Sequence, residues 1–470
     1  MTDQIRPVRM LHLGLGSFFR AHQAWYTHHA PDADAWGIAA FTGRRPDLAR
    51  TLTAQGCRYI LVVRGPEADR REIVRSLSAA HSGTDHAAWL DYWRRPGLGV
   101  VTLTVTEAGY ARARPGDADS GRTGGGGLDT ARPDVCSDIA ALRASRVAEV
   151  TTAPAKLLIG LAARRAAGLP PPTIVPCDNL PGNAEAAQRV VRDLAEAVGD
   201  AALIVAAQHA PFANTMVDRI TPATTGADRD RVGAASGFED GAPVVTEPFS
   251  EWVLSGAFPS GRPRWEDAGA RFVPDVLPFE QRKLWLLNGA HSLLAYTAPL
   301  LGHTTVAQAV ADPRCREWLA QWWQEAARGL PLPGAELTAY QDALLERFAN
   351  PRIRHSLAQI AADGSQKLPV RLLPTLRAER AAGRLPQGAA RALAGWLLHL
   401  RGHGAQVQDA ATDPALAAGP LPQAARRALA FLDPSLADDA ELTTAVTAHA
   451  RALERCLTLH SGQLTIPPIS

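Results

Sequence analysis

The chain has 470 residues, enough for two or three domains at roughly 150 residues each. Its 49 basic and 47 acidic residues leave a formal net charge of +2. That balance excludes an electrostatic case for nucleic acid or an anionic membrane as partner. No apolar run approaches the roughly 18 residues of a membrane span, and the opening MTDQIRPVRM has no apolar signal-peptide core, so a cytoplasmic protein is expected.

In chain order, Val8–Leu13 reads as a buried parallel strand, followed by a Gly-rich turn and a helix in GLGSFFRAHQAWYTHHA. Strand-like runs recur at Trp36–Thr42, Arg58–Val63, Val100–Val105, Ile174–Pro176 and Leu203–Ala207. Helical stretches lie between several of them, including Thr152–Gly168 and Asn183–Val198. Strands alternating with helices predict a doubly wound α/β sheet, a Rossmann-type domain over residues 1–277. The stretch Pro115–Gly127 is Gly-rich and polar and reads as a flexible surface insertion. From Pro278 onward strand-like runs nearly vanish. Helices are expected at Arg282–Pro299, Ala307–Gly329, Glu336–Phe348 and Ala389–Leu400, so residues 278–470 read as a mainly α-helical second domain.

The five cysteines, Cys57, Cys136, Cys177, Cys315 and Cys456, form no CxxC, and the histidines form no HExxH. Neither a disulfide framework nor a metal site is expected. His399 and His403 have ligand-like spacing but read as an exposed helix end before Gly404. The chain has three lysines, Lys156, Lys283 and Lys367, among 49 basic residues. A composition that has replaced nearly every lysine by arginine draws attention to those that remain, because arginine cannot act as a base.

Gly14 and Gly16 follow a strand and open a helix, where glycines permit a tight turn and close approach to a pyrophosphate. Phe19 stands where a third glycine is usual, followed by Arg20. After the second strand comes Thr42-Gly43-Arg44-Arg45, with arginines where an acid would bind the ribose of NAD. Arg44 and Arg45 suit a 2′-phosphate, so NAD and NADP both stay open. Thr106 and Glu107, in the segment TEAGY, and Asn179, in CDNLPGN, fall at the carboxyl edge of the sheet, where ligands bind. In PFEQRKLWLLNGAH, at about 100° per residue, Glu280, Lys283, Asn288 and His291 share a helix face about 140° wide. Such groups are costly to bury unpartnered, so they form either a satisfied network or a polar site.

These segments, with ANTMVDRITP (213–222) and RFANPRIRHSLAQIAADGSQKLP (347–369), resemble the polyol-specific long-chain dehydrogenase/reductases, the group of mannitol 2-dehydrogenase and fructuronate reductase. The motifs run in family order from residue 11 to about 374, and the Lys-x4-Asn-x2-His spacing is the most specific. The resemblance implies metal-independent hydride transfer between NAD(P) and a secondary alcohol of a polyol, ketose or sugar acid. It implies Lys283 as general base, Asn288 and Asn179 as amides on the reacting oxygen, His291 as a further contact, and Glu280 as proton relay. Gly14 and Gly16 match its cofactor turn, and Asp218, in the VDRITP segment, is expected at the substrate. The segment DGSQKLP is more like the sugar-acid branch, where Lys367 would pair with a carboxylate. Fructuronate/mannonate and fructose/mannitol are the leading substrate pairs. A dinucleotide-binding sensor without turnover, and a sugar-phosphate dehydrogenase using Arg352 and Arg354, are the alternatives. A monomer or small homo-oligomer is expected.

Overall fold

A computed structural model describes residues 6–43, 45–113, 126–236 and 239–461. The chain divides into two compact units, Met1–Leu277 and Pro278–Ser470.

The first unit is built on five parallel strands: β1 (Val8–Leu13), β2 (Gly37–Phe41), β5 (Leu77–His81), β6 (Val100–Leu103) and β7 (Thr173–Pro176), in the order β5-β2-β1-β6-β7. β2, β6 and β7 are buried throughout and β1 from Met10 onward, as the unbroken apolar runs predict for a sheet covered on both faces, whereas β5 at the edge is buried only at Leu77. Leu11, Leu13, Phe41, Val101 and Leu103 face a core that includes Trp89, Trp93, Leu158 and Val190. Met10, Ile38, Ala40 and Val100 face the other core, with Phe19, Tyr26 and Trp252. This is the doubly wound, Rossmann-type sheet. The register aligns Leu13 with Phe41 and Leu103, and Leu103 with Pro176. Gly14, Thr42, Thr104 and Cys177 therefore leave the sheet side by side at its carboxyl edge.

Three elements differ from the sequence reading. Leu203–Ala207 lies in a helix, Ala201–Gln208, not a strand. Asp200 caps it by accepting from the backbone N–H of Ala202 and Leu203, and a short apolar run carries no period that separates strand from buried helix. The run at 58–63 is a strand, β3 (Tyr59–Arg64), but lies outside the main sheet. It pairs antiparallel with β4 (Asp69–Val74) and parallel with β9 (Val244–Thr246). The place at the sheet edge goes to Leu77–His81, a run too weakly apolar to signal itself. A further small sheet joins β8 (Asn214–Asp218), β10 (Glu251–Ser255) and β11 (Arg271–Phe272). Most of the Gly-rich stretch 115–127 lies outside the described residues.

Among its described residues the second unit is mainly helical and contains no named strand. The helix Gly289–Thr297 is buried at every position and packs against Gln387–Leu400 through Gly395, where a side chain would meet the Tyr296 carbonyl at 2.9 Å. The helix expected over 307–329 breaks at Asp312, which caps Pro313–Ala327, because proline cannot continue the preceding turn. His399 is buried, not exposed, and tilts against Tyr296 at 5.4 Å. Among the described residues, one group that could hold a metal is His303, Asp312 and Cys315, with ligand atoms within 4.8 Å. There Asp312 is ion-paired to His303 and Arg314, and burial pushes the Cys315 thiol up to about 12. No helix among the described residues is long and apolar enough to cross a membrane.

Candidate functional site

In the first unit the chain leads from β1 to β2 and β5 on one side and then to β6 and β7 on the other, which opens a crevice at the carboxyl end of β1. Gly14 sits there at φ +108°, and a β-carbon on it would lie 2.3 Å from the Thr104 carbonyl oxygen. Only glycine fits. The N–H groups of Gly14 and Leu15 donate to the Phe41 carbonyl at 2.9 and 2.8 Å, and the Thr104 hydroxyl donates to the Gly14 carbonyl at 2.9 Å. The helix Ser17–Ala21 then begins at Gly16 with no side-chain cap. Uncapped first-turn N–H groups beside a glycine turn suit a pyrophosphate.

His12 supports this turn from below. It is fully buried, stacked on Phe19 at 3.5 Å, with its ring nitrogens 2.8 Å from the Thr102 hydroxyl and 3.1 Å from the Thr104 hydroxyl. Burial holds its pKa down at about 3 against a weaker opposing bond to the Gly14 backbone. The unfolded chain takes up a proton at this ring below about pH 6.5 and the folded chain does not, so this contribution to stability is present above pH 6.5 and is lost toward pH 3. Acidification from pH 7 to 5 should therefore cost about 2 kcal/mol at His12. Urea unfolding of the wild type and His12→Gln at both pH values checks this, because the variant should lose that share of the acid slope.

Phe19 and Arg20, expected at the cofactor, face the core instead. Phe19 is wholly inaccessible. Arg20 donates from Nε to the Gly16 carbonyl at 3.2 Å and from Nη1 to the Ala242 carbonyl. Both hold the turn from behind, as helical spacing from Gly16 dictates. Arg45 is exposed; Arg44 lies outside the described residues. Thr106 is exposed at the start of a short turn, Glu107–Tyr110, and the side chain of Glu107 is outside the described set.

Asn179 is exposed on the loop after β7. That loop is fixed by its neighbour Asp178, which accepts from the Tyr110 hydroxyl and, at 2.8 Å, from the Leu180 N–H. Asn183 ties the loop's far end to β8 through Thr215, donating to its carbonyl at 2.9 Å. Asp218, buried, ends β8 opposite Glu251. Tyr110 and Asp178 lay inside the quoted motifs, but their pairing is a tertiary contact that no local spacing announces.

In the second unit, Leu277–Arg282 and Gly289–Thr297 are α-helical, and Lys283–Asn288 between them is a π-turn. The Gly289 N–H reaches back to the Leu284 carbonyl, an i→i+5 bond. Winding at 100° per residue therefore fails here, and the wider turn brings Lys283 and Asn288, five apart, closer in angle than the helical wheel places them. Two indoles complete the hydrogen bonding of this segment. Trp322 Nε1 donates to the Trp285 carbonyl at 2.9 Å and Trp323 Nε1 to the Leu286 carbonyl at 2.8 Å. Gly289 lets Trp322 approach, since a β-carbon there would lie 2.6 Å from its ring.

Glu280 is buried, and Lys283 and Asn288 are partly exposed. His291 is buried against Phe348 and His355, each 4.7 Å between ring centres, and its Nε2 has no hydrogen-bond partner. Burial first, then His355, Arg371 and Arg347, drive its pKa far below the usual value, so the ring is neutral. A neutral, buried ring with an unspent nitrogen is suited to contact a ligand. Lys367 donates to the Ile360 and Ala362 carbonyls at 3.3 and 2.5 Å, which occupies two of its three donors.

The chain joins a Rossmann-type sheet with a glycine turn at its crevice to a helical domain carrying Lys-x4-Asn-x2-His on a π-turn, and it matches a family of dehydrogenases. The chain belongs to the mannitol dehydrogenase family: residues 8–267 match its Rossmann domain and residues 275–449 its C-terminal domain. The chain is 39% identical to the D-mannonate oxidoreductase of Escherichia coli over 409 residues, covering 84% of this chain and 80% of the relative. It is 36% identical to the mannitol 2-dehydrogenase of Cereibacter sphaeroides over 390 residues, covering 81% and 78%. Among solved structures it is similar to a D-sorbitol dehydrogenase in substrate-free form, with TM-score 0.86, 28% identity and coverage of 97% and 94%. It is also similar to the Pseudomonas fluorescens mannitol 2-dehydrogenase in ternary complex with NAD and D-mannitol, with TM-score 0.78, 29% identity and coverage of 99% and 96%.

Proposed function

We propose that this chain is a reversible NAD(P)-dependent dehydrogenase of a sugar acid or sugar alcohol, with Lys283 as general base and no metal. The single observation carrying this reading is the Lys283, Asn288 and His291 set on a π-turned helix in a chain that belongs to this family. Gly14, Gly16 and the uncapped helix start hold the pyrophosphate, and the exposed Arg45, which follows the second strand in sequence, would read a 2′-phosphate. A bound nicotinamide supplies the hydride acceptor for oxidation and the donor for reduction.

Everything else is done by side chains. Neutral Lys283 takes the hydroxyl proton during oxidation and returns it as ammonium during reduction. The amides of Asn288 and Asn179 donate to the oxygen as negative charge grows on it, which replaces the Lewis acid a metal would provide. His291 offers Nε2 to the same oxygen or its neighbour. Glu280 passes the proton between Lys283 and water. Asp218 and the remaining donor of Lys367 hold the outer hydroxyls.

The 39% identity with a mannonate oxidoreductase and the segment DGSQKLP favour the mannonate/fructuronate pair over mannitol/fructose. Nicotinamide absorbance with NAD and NADP against mannonate, altronate, mannitol, arabinitol and sorbitol, and with fructuronate and fructose in reverse, tests this. Turnover of a sugar acid at least about tenfold above any neutral polyol in kcat/KM is expected. Turnover of neutral polyols alone would move the assignment to the mannitol branch. Cofactor binding with no turnover of any compound would overturn it in favour of a sensor.

A further inference from the structure

Lys367 and Arg371 lie one turn apart on the helix Gly364–Arg371, so both cations project from one face. They differ in what they touch. Lys367 is bound to two backbone carbonyls. Arg371, partly buried, donates only from Nη1 to the Ser292 hydroxyl, at a long 3.3 Å. No carboxylate among the described residues pairs with it, and none of its nitrogens is both sealed from solvent and unpartnered. Asp409 accepts from the Ser365 N–H and hydroxyl at 2.7 and 2.6 Å. Other arginines of this unit are neutralised: Arg328 and Arg384 meet Glu379, Arg377 meets Asp433, and Arg380 meets Asp439.

Ser292 follows His291 directly, and Arg371 is one of the charges that act on the His291 ring. The donors of Arg371 that Ser292 leaves open reach solvent, so a ligand can meet them, and the planar fork fits a carboxylate through two parallel bonds. Burial also lowers the pKa of Arg371, with only Tyr296 opposing.

We infer that Arg371 is a carboxylate subsite, which neutralises the acid group of a hexonate or hexuronate bound at His291. The inference rests on the dehydrogenase reading above and narrows it to sugar acids. Lys367, tied to its carbonyls, orders the helix and serves neutral and acidic substrates alike.

The test compares wild type, Arg371→Met, Arg371→Lys and Lys367→Met for kcat and KM on fructuronate and fructose, with thermal-shift titration by glucuronate alongside. Arg371→Met should lower the fructuronate-to-fructose ratio of kcat/KM by about 100-fold, mostly through KM, with partial recovery in Arg371→Lys. Lys367→Met should lower both substrates together. An unchanged ratio in Arg371→Met overturns the subsite, as does a ratio change confined to Lys367→Met. Wild type active only on fructose overturns the subsite and leaves the dehydrogenase intact. Glucuronate stabilisation that vanishes in Arg371→Met, in a protein without hydride transfer, upholds the subsite while the dehydrogenase reading fails.

Discussion

Lys283→Ala is expected to lower kcat by at least about 10³-fold in both directions while NADH affinity stays within about twofold. The argument rests on what else the segment holds. Lys283 opens the π-turn, and its side chain is partly exposed. The turn itself is held by the Gly289 N–H, by Trp322 and by Trp323, none of which depends on the ammonium. A loss of rate without loss of fold or cofactor binding is therefore the signature of a proton acceptor. Lys283→Arg should be equally inactive, because a guanidinium cannot give up its proton near neutral pH. Added methylamine should restore part of the rate to Lys283→Ala, increasing with pH as free amine accumulates. Steady-state kinetics with NADH fluorescence titration measures all of this. Turnover of Lys283→Ala within tenfold of wild type would remove the lysine from the mechanism.

Gly14→Ala should weaken NADH binding by more than about 30-fold and destabilise the first unit by about 2–4 kcal/mol. A β-carbon at this position would overlap the Thr104 carbonyl at 2.3 Å and its hydroxyl at 2.9 Å, on a backbone at φ +108°. The obstacle is backbone of β6's exit, which cannot swing aside as a side chain tip can. Relief would have to come from moving the turn, which breaks the bonds from Gly14 and Leu15 to the Phe41 carbonyl. Gly43→Ala is the matched control, since nothing lies within 4 Å of its β-position. Urea midpoints and cofactor titration of the two variants separate the effects. Equal behaviour of the two variants would show that the turn tolerates a side chain and that the cofactor does not depend on its shape.

The parts of the site that could be read from the chain are those set by neighbours in sequence. A strand followed by Gly14-Leu15-Gly16 needs only local chemistry to announce a turn at a sheet edge. The spacing Lys283, Asn288, His291 and the segments around Asn179 carry the family resemblance outright. The parts that could not be read depend on contacts far along the chain. Phe19 and Arg20 sit in the cofactor motif, yet they point into the core because His12 and Ala242 receive them. Lys367 drew attention for its rarity, whereas Arg371 lay hidden among many arginines and is distinguished by having no carboxylate partner among the described residues.

Pattern and composition were sufficient for the Rossmann-type fold and the helical second half, because burial on both faces of a parallel sheet leaves continuous apolar runs; the dehydrogenase class came from the family resemblance, carried by motifs whose residues are close in sequence. The three-dimensional structure alone decided that Leu203–Ala207 is helix, that Tyr59–Arg64 leaves the main sheet, and that Lys283–Asn288 winds as a π-turn. The physical reason is common to all three. Each segment has local preferences that allow two states, and the choice falls to hydrogen bonds and packing supplied from elsewhere: Asp200 at its helix start, β9 beside β3, and the indoles of Trp322 and Trp323 at the π-turn.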